Sequence, residues 1–476
     1  MRTIFDPVYG SVQISEIEYK IISTSAFQRL QNVKQLGLAH LVFPGANYSR
    51  FSHSIGALRN AGKFLNAIEQ NACIDHVELS PGTDHPYKLD VNEQQKYRLA
   101  ALLHDIGHFP FSHATEHAFE EYLQNQKLIQ GRDIEIVDDH EAFGSLIINN
   151  DSELKSVLNE AGFSPNDVAS VFASDNYVSK TEINLKPVIS SELDCDRLDY
   201  LKRTSHFSGL PFGNVDIDYL ISSSRIQRNK LCFDIKAKKS IEHMLLARYY
   251  DYQQVVFNKN LISLEWSLKE AIKICIKIDD NGINIEKSEL LRMIEDNNIK
   301  GLDDYKYTSA IKSAHNTLSL TPKDSKYMHL DAILYRHQAR QVFYSQKYIR
   351  ADDSYHGICL QEVRNLTDKY IQDNGLDPEY FHVWDKKHQL SKVNPSELCS
   401  ANSPSDLETT EELVHIYNQH SQTHPVFPLV FESSSLLNLL SKQYFSDIRV
   451  FMLPFDGYKA HRENLAKILF ELPEST

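Results

Sequence analysis

Apolar residues recur at helical spacing along most of the 476-residue chain. Ile17, Ile21, Phe27, Leu30, Val33 and Leu36 predict a helix over 14–40, followed by a short extended piece, Leu41-Val42-Phe43, that ends at the Pro44-Gly45 turn signal. Ile55, Leu58, Gly62, Leu65 and Ile68 mark one face of an amphipathic helix from Ser54. Residues 72–92 hold two prolines and many polar side chains and predict a loop or small insertion. Tyr97 to Ile106 is apolar nearly all round, the pattern of a helix at the centre of its domain, yet its last turn carries His104 and Asp105. Further helices are expected over 113–129, 140–149, 153–160, 191–204, 240–277 and 328–348. Strands are expected at Val215–Ile221 and Leu231–Ile235, joined as a hairpin through Arg225, Arg228 and Asn229, and again at Phe427–Phe431 and Ile448–Leu453. A polar loop is expected over 392–407. The class is mainly α: a helical core over 1–300 with a small β-hairpin, and a smaller mixed α/β C-terminal region over 301–476, oligomerising or regulatory in role.

Composition narrows the function classes. Apolar residues make up 42% and charged residues 24%, with Gly and Pro scarce, as in folded globular domains. No apolar run reaches the roughly 18 residues of a membrane helix, and no apolar segment follows the N-terminal charge, so neither membrane insertion nor a signal peptide is expected. The six cysteines are scattered without a C-x-x-C pair, which points to a reducing cytoplasm. A formal charge of −14 disfavours long nucleic acid, whose phosphates demand Lys and Arg, while leaving room for a local basic pocket around a small anion.

Four separated pieces carry the residue types of a hard metal site: Arg50-Phe-Ser-His53, His104-Asp105, His140-Glu141 and Asp194-Cys-Asp196-Arg197-Leu-Asp199-Tyr200. Imidazole with carboxylate suits Mg, Mn, Fe, Co, Ni or Zn without selecting one. Such an ion polarises a phosphoryl oxygen and acidifies water, the chemistry of phosphoester hydrolysis. A lone His-Asp pair also arises as a polar helix C-terminus. Here Gly107-His108-Phe-Pro-Phe-Ser-His113 follows at once, packing two more histidines and a Pro-fixed turn into a shaped pocket.

The string His104-Asp-Ile-Gly-His-Phe-Pro-Phe-Ser-His113 resembles the HD motif of the deoxynucleoside triphosphate triphosphohydrolases. Phe27-Gln-Arg-Leu, Lys34-Gln-Leu-Gly37, Val42-Phe-Pro-Gly-Ala46, Arg50-Phe-Ser-His-Ser-Ile-Gly56 and Asp194-Cys-Asp-Arg-Leu-Asp-Tyr200 agree with that family in order and spacing, from about residue 6 to about 260. The resemblance implies an HD-domain helical core and a divalent metal on His53, His104, Asp105 and Asp196. It implies acid/base work by His113 with Glu116, and a phosphate contact by His140. It places Arg50 and Arg197 on phosphates, His108 in the pocket, Tyr200 near the sugar, and Gln35 with Leu36 against the 3′-hydroxyl, excluding a 2′-hydroxyl. Several positions keep a second reading: Leu36 as core packing, Glu116 as a solvated helix residue, and Asp194 as the cap of a helix in the pattern Ser191-x-x-Asp194. The implied reaction is water attack at the α-phosphorus of a dNTP, releasing deoxynucleoside and triphosphate. The implied partners are the dNTP, an allosteric nucleotide, and further copies of the chain as a dimer, tetramer or hexamer.

The match departs from the family in two places. Near residue 250, Gln254 and Asn258 stand where the family often has Arg and His, leaving Arg248 and Lys259 as phosphate candidates that also read as solvated charges. Ser23 and Gln31 replace the Asp and Arg of the guanine-nucleotide activator pocket, so a guanine-specific activator is not expected, and another nucleotide effector stays open. A SAM domain ahead of the HD region is not expected either, since the motif begins almost at Met1. Two other readings remain beside the dNTP triphosphohydrolase: an HD phosphohydrolase or phosphodiesterase acting on another nucleotide, and a nucleotide-sensing scaffold with a vestigial site.

Overall fold

The computed structural model describes residues 1–79, 89–130, 135–173, 184–227, 229–276, 283–391, 393–401, 403–407, 413–421 and 425–472. The chain is mainly helical and divides into two compact units, each discontinuous in sequence. The first comprises Met1–Tyr252, Asn284–Lys306 and Ser403–Asn438, and the second Gln253–Ile283, Tyr307–Asn402 and Leu439–Thr476. A single cut near residue 300 therefore does not separate them. One reason is a non-local pairing: His415–Tyr417 returns to lie parallel to Lys230–Asp234 and extends the hairpin to four strands, in the order Ser224–Gln227, Lys230–Asp234, His415–Tyr417, Val426–Pro428. Among the described residues no helix is long and apolar enough to cross a membrane, and the described cysteines are free thiols.

The first unit is built around two helices, Arg50–Leu79 and Val91–Leu103. The second begins at Asp90, whose carboxylate accepts the N–H groups of Asn92 and Glu93 and so satisfies two of the donors a helix start leaves orphaned. Its Leu99-Ala-Ala-Leu-Leu103 run is fully buried, as the all-round apolar pattern requires. Helices Cys195–Ser208, His113–Gln130 and His140–Asn150 complete the frame of the site. The N-terminal hairpin, Arg2–Asp6 against Gly10–Ile14, delivers Asp6 to the same core.

Several local expectations are corrected. The stretch 14–40 is not one helix: Thr24 accepts Phe27 N–H to restart the chain as a short helix, and Gly37 adopts φ +49. Leu41-Val42-Phe43 is a turn rather than a strand, with both Val42 and Phe43 N–H donating to Ala39 O. Val215–Ile221 alternates like a strand, yet Asp216 caps Tyr219 N–H and the chain forms the helix Ile217–Ser222. The hairpin strand is Ser224–Gln227 instead, with Asn229 left-handed at its turn; Arg228 lies outside the described residues. Residues 72–79 continue the Arg50–Leu79 helix, while 80–88 lie outside the described residues. A further helix, Pro165–Ala173, was not expected. Helix 240–277 is interrupted by a π-turn at Tyr252–Val256. The loop expected over 392–407 contains the short helix Pro395–Ser400.

In the second unit, the expected helix 328–348 ends at Arg336, left-handed with φ 64, and the chain turns into strand Arg340–Arg350. That strand and Phe381–Gln389 flank Gln443–Met452 in an antiparallel sheet. The middle strand is buried on both faces over nearly its whole length.

Candidate metal centre and its proton-transfer neighbour

Helices Arg50–Leu79, Val91–Leu103 and Cys195–Ser208 bring His53, His104, Asp105 and Asp196 together, as the sequence motifs require. His53 Nε2 lies 2.9 Å from Asp196 Oδ1 and 3.3 Å from His104 Nε2. Asp105 reaches both rings, 3.5 Å from His53 Nε2 and 3.4 Å from His104 Nε2. The far nitrogens of both rings are committed elsewhere. His53 Nδ1 donates to Asp199 Oδ2 at 2.7 Å, and His104 Nδ1 donates to the Ala101 carbonyl at 2.8 Å near the helix end. That pattern fixes the tautomer and aims both Nε2 atoms at one point, the arrangement imidazole ligands need. His53, His104 and Asp196 each offer an atom within 4.8 Å of the others, so the donor set fits a divalent cation.

The electrostatics agree with a cation there. Burial pulls His53 down, but hydrogen bonds to Asp196 and Asp199 and the charge of Asp105 outweigh it and raise the imidazole to about 10. Burial pushes Asp105 and Asp196 up, but Arg50 with the imidazoles holds Asp105 well below the usual range, and His104 with His53 lowers Asp196. Negative charge concentrates here and calls for a positive partner.

Asp199 is the residue the sequence reading left without a role. It is fully buried, and Arg203 grips it with two hydrogen bonds of 2.9 Å while also reaching Asp6 at 2.8 Å. The chain Asp6–Arg203–Asp199–His53 thus runs from the N-terminal hairpin to a candidate ligand. Gly56 is needed beside it: a Cβ there would sit 1.8 Å from Asp199 Oδ1. Asp194, by contrast, is the helix cap, accepting from Ser191 and Arg197 N–H at 2.8 Å each, so its structural reading stands.

A second cluster adjoins the first through Asp105, whose Oδ1 lies 3.1 Å from His108 Nε2. His108 and His140 stack with ring centres 3.8 Å apart. Glu116 stands 2.9 Å from His113 Nδ1 and 3.2 Å from His140 Nδ1. Burial raises Glu116, but these two imidazoles outweigh it and hold the carboxylate ionised; His140 is raised in turn, while burial and Arg50 lower His108. His113 is the exposed member, 60% accessible at its side chain. The cluster pairs an ionised orienting carboxylate with an imidazole open to a ligand. The loop leading to it is tightly folded: a Cβ on Gly107 would lie 2.0 Å from His140 O and 2.1 Å from Gly144 N.

Arg50 is already engaged, donating to Asp105 at 2.6 Å and to Ser112 Oγ at 2.9 Å. Ser112 Oγ also lies 3.5 Å from the Lys34 carbonyl, next to Gln35 and Leu36. Gln35 Oε1, Arg197 Nη1 and Arg248 Nη1 are buried atoms without a hydrogen-bond partner among the described residues. Tyr200 feels the charge of both Arg197 and Arg248, which places the three side chains near one another. Leu36 is half-buried rather than sealed in the core. Arg29, inside the Phe27-Gln-Arg-Leu string, buries its guanidinium to donate to the carbonyls of Ile106, His108 and Leu302. These three acceptors are backbone carbonyls, which residue identity does not reveal.

Residues 50–201, which hold all four candidate ligands, match the family model of the HD domain. Several known proteins resemble the chain over longer stretches. YwfO of Bacillus subtilis, an uncharacterized protein, is 32% identical over 280 residues, covering 58% of this chain and 56% of that one. The deoxynucleoside triphosphate triphosphohydrolase SAMHD1 homolog of Dictyostelium discoideum is 29% identical over 311 residues, 62% of this chain and 55% of that one. The chain thus spans little more than half the length of these relatives. A hypothetical protein from Aquifex aeolicus shares the fold with a TM-score of 0.69 at 22% identity, over 98% of this chain and 99% of that one.

Proposed function

We propose that this chain is a metal-dependent triphosphohydrolase acting on deoxynucleoside triphosphates. The observation that carries the reading is the junction of the two clusters: a four-residue His/Asp pocket joined by the Asp105–His108 contact of 3.1 Å to an ionised Glu116 that orients His113. A divalent ion (Mg, Mn, Fe, Co, Ni or Zn) on His53, His104, Asp105 and Asp196 would polarise the α-phosphoryl oxygen and acidify the attacking water. Arg197 and Arg248 present buried, unpartnered N–H groups suited to phosphate oxygens. Gln35 presents an unpartnered carbonyl to accept the 3′-hydroxyl, and Leu36 fills the space beside C2′. Arg50 keeps Asp105 and Ser112 in place, and His108 and His140 line the phosphate side. Tyr200 flanks the sugar.

In the step itself an oxygen–phosphorus bond forms from water to the α-phosphorus and the bond to the 5′-oxygen breaks. His113, held by Glu116 through Nδ1, gives its Nε2 proton to the departing 5′-oxygen; the proton lost by water returns to the imidazole through solvent. Deoxynucleoside and triphosphate leave. A homo-oligomer, a cytoplasmic location and a nucleotide effector belong to the same reading. Gln254 and Asn258 favour a second one, hydrolysis of a different nucleotide phosphoester.

The test is to load the full chain with Mn, Mg, Fe or Co and incubate it with each dNTP and NTP, singly and mixed. The expected products are deoxynucleoside and intact triphosphate from dNTPs alone, lost on chelation. Intact dNTPs under every metal would overturn the reading, and turnover of cyclic or linear oligonucleotides instead would establish the second.

A further inference from the structure

Asp304 belongs to none of the motifs that mark the site, yet it touches the two segments that do the work in the reading above. It is buried, 4% exposed, at the start of the helix Asp304–Thr317. Its Oδ1 accepts the N–H of Phe111 at 2.8 Å, and its Oδ2 accepts the N–H of Lys34 at 3.1 Å. Lys34 immediately precedes Gln35 and Leu36. Phe111 stands between His108 and His113.

The loop it holds needs holding. Phe111 and Ser112 have φ of 59° and 56°, adjacent side-chain-bearing residues in the left-handed region, which L residues occupy only when their surroundings over-determine it. Asp304 supplies the acceptor for the first of these, and Arg50 donates to the Oγ of the second. Arg29 fixes the carbonyls of Ile106 and His108 just upstream. Asp304 ties this loop to the backbone of Lys34 through the two oxygens of one group, beside the Ser112 Oγ contact to the Lys34 carbonyl. Burial pushes its carboxyl up to about 6 against the pull of the two N–H groups and Lys34, so the ionised acceptor prevails at neutral pH.

We propose that Asp304 is a positioning residue that sets the sugar-reading segment against the proton-transfer loop, so that sugar discrimination and turnover depend on it together. This rests on the triphosphohydrolase reading. Two variants separate the possibilities. Asp304→Ala removes both acceptors; Asp304→Asn keeps the shape but faces an N–H₂ toward one donor. Backbone hydrogen exchange on the full chain should show segments 31–36 and 108–114 losing protection together in the alanine variant, with the rest of the first unit unchanged. In metal-loaded Asp304→Asn, kcat for dNTPs should fall ten- to about a hundredfold, the scale of ångström misplacement, and the dNTP-over-NTP ratio of kcat/KM should narrow. Metal content should not change. Exchange that rises in one segment only, or a kcat loss with sugar preference intact, overturns the proposal. If the wild-type chain turns over no dNTP, the functional reading fails, and the exchange experiment alone still decides whether Asp304 ties the two segments.

Discussion

Replacing Asp199 by Asn tests how the candidate metal pocket is held. Asp199 and His53 are both fully buried, with Oδ2 2.7 Å from His53 Nδ1 and both carboxylate oxygens bonded to Arg203. An amide cannot serve all three donors: its N–H₂ must face either Arg203 or the imidazole. If it faces the imidazole, His53 gives up its Nδ1 proton, protonates Nε2 and ceases to be a ligand. Loss of such an orienting partner typically costs 10- to 100-fold in metal affinity, or about 1.4–2.7 kcal/mol. Folding stability should fall by roughly 3 kcal/mol, the low end for breaking a buried charge pair, because Arg203 keeps Asp6 at 2.8 Å. Calorimetric titration of the metal-free chain with Mn(II) or Co(II), beside thermal unfolding, measures both. Asp218→Asn is the control: Asp218 is 56% exposed and pairs with Arg59 and Lys63 on the surface, where such pairs contribute about 0–1 kcal/mol. Metal affinity of Asp199→Asn within about twofold of wild type would refute the orienting role, since the expected loss starts near tenfold.

Two further perturbations follow from the same frame. Glu18 is fully buried against Arg98 (2.7 and 2.9 Å), and those bonds lower its carboxyl although burial raises it. The stability this contributes is present above the unfolded value of 4.5 and lost as pH falls through the lower folded value. Glu18→Gln should therefore destabilise the chain by roughly 3 kcal/mol at pH 7, with the gap to wild type closing below pH 4.5 in denaturant unfolding; a gap constant with pH would contradict this. Gly107→Ala would drive a methyl into the His140 carbonyl and the Gly144 amide, so thermal unfolding should show a loss of roughly 3 kcal/mol, with activity falling further; a neutral effect would mean the loop packs differently.

The helical core and the His/Asp residues that the structure brings together were legible in the sequence because both are local signals. The Leu99–Leu103 run is apolar all round, and His53, His104, Asp105 and Asp196 sit in short strings of fixed spacing. What the sequence hid is non-local or decided by one side chain. Asp216 turns an alternating, strand-like segment into a helix by capping it, and a left-handed Arg336 converts half of an expected helix into an edge strand. His415–Tyr417 completes the hairpin sheet from far along the chain, a pairing periodicity does not encode. Asp199 stood inside a recognised string, but its task appears only once His53 is placed beside it. Asp304 stood outside every string, and the Lys34 and Phe111 donors it accepts from are backbone N–H groups, which leave no trace in residue identity.

The most direct test of the central claim is a single turnover of metal-loaded chain with a dNTP in H₂¹⁸O, followed by mass analysis of both products. Attack at the α-phosphorus predicts one ¹⁸O in the triphosphate and none in the deoxynucleoside. Label in the deoxynucleoside, or in pyrophosphate or orthophosphate in place of triphosphate, would contradict it.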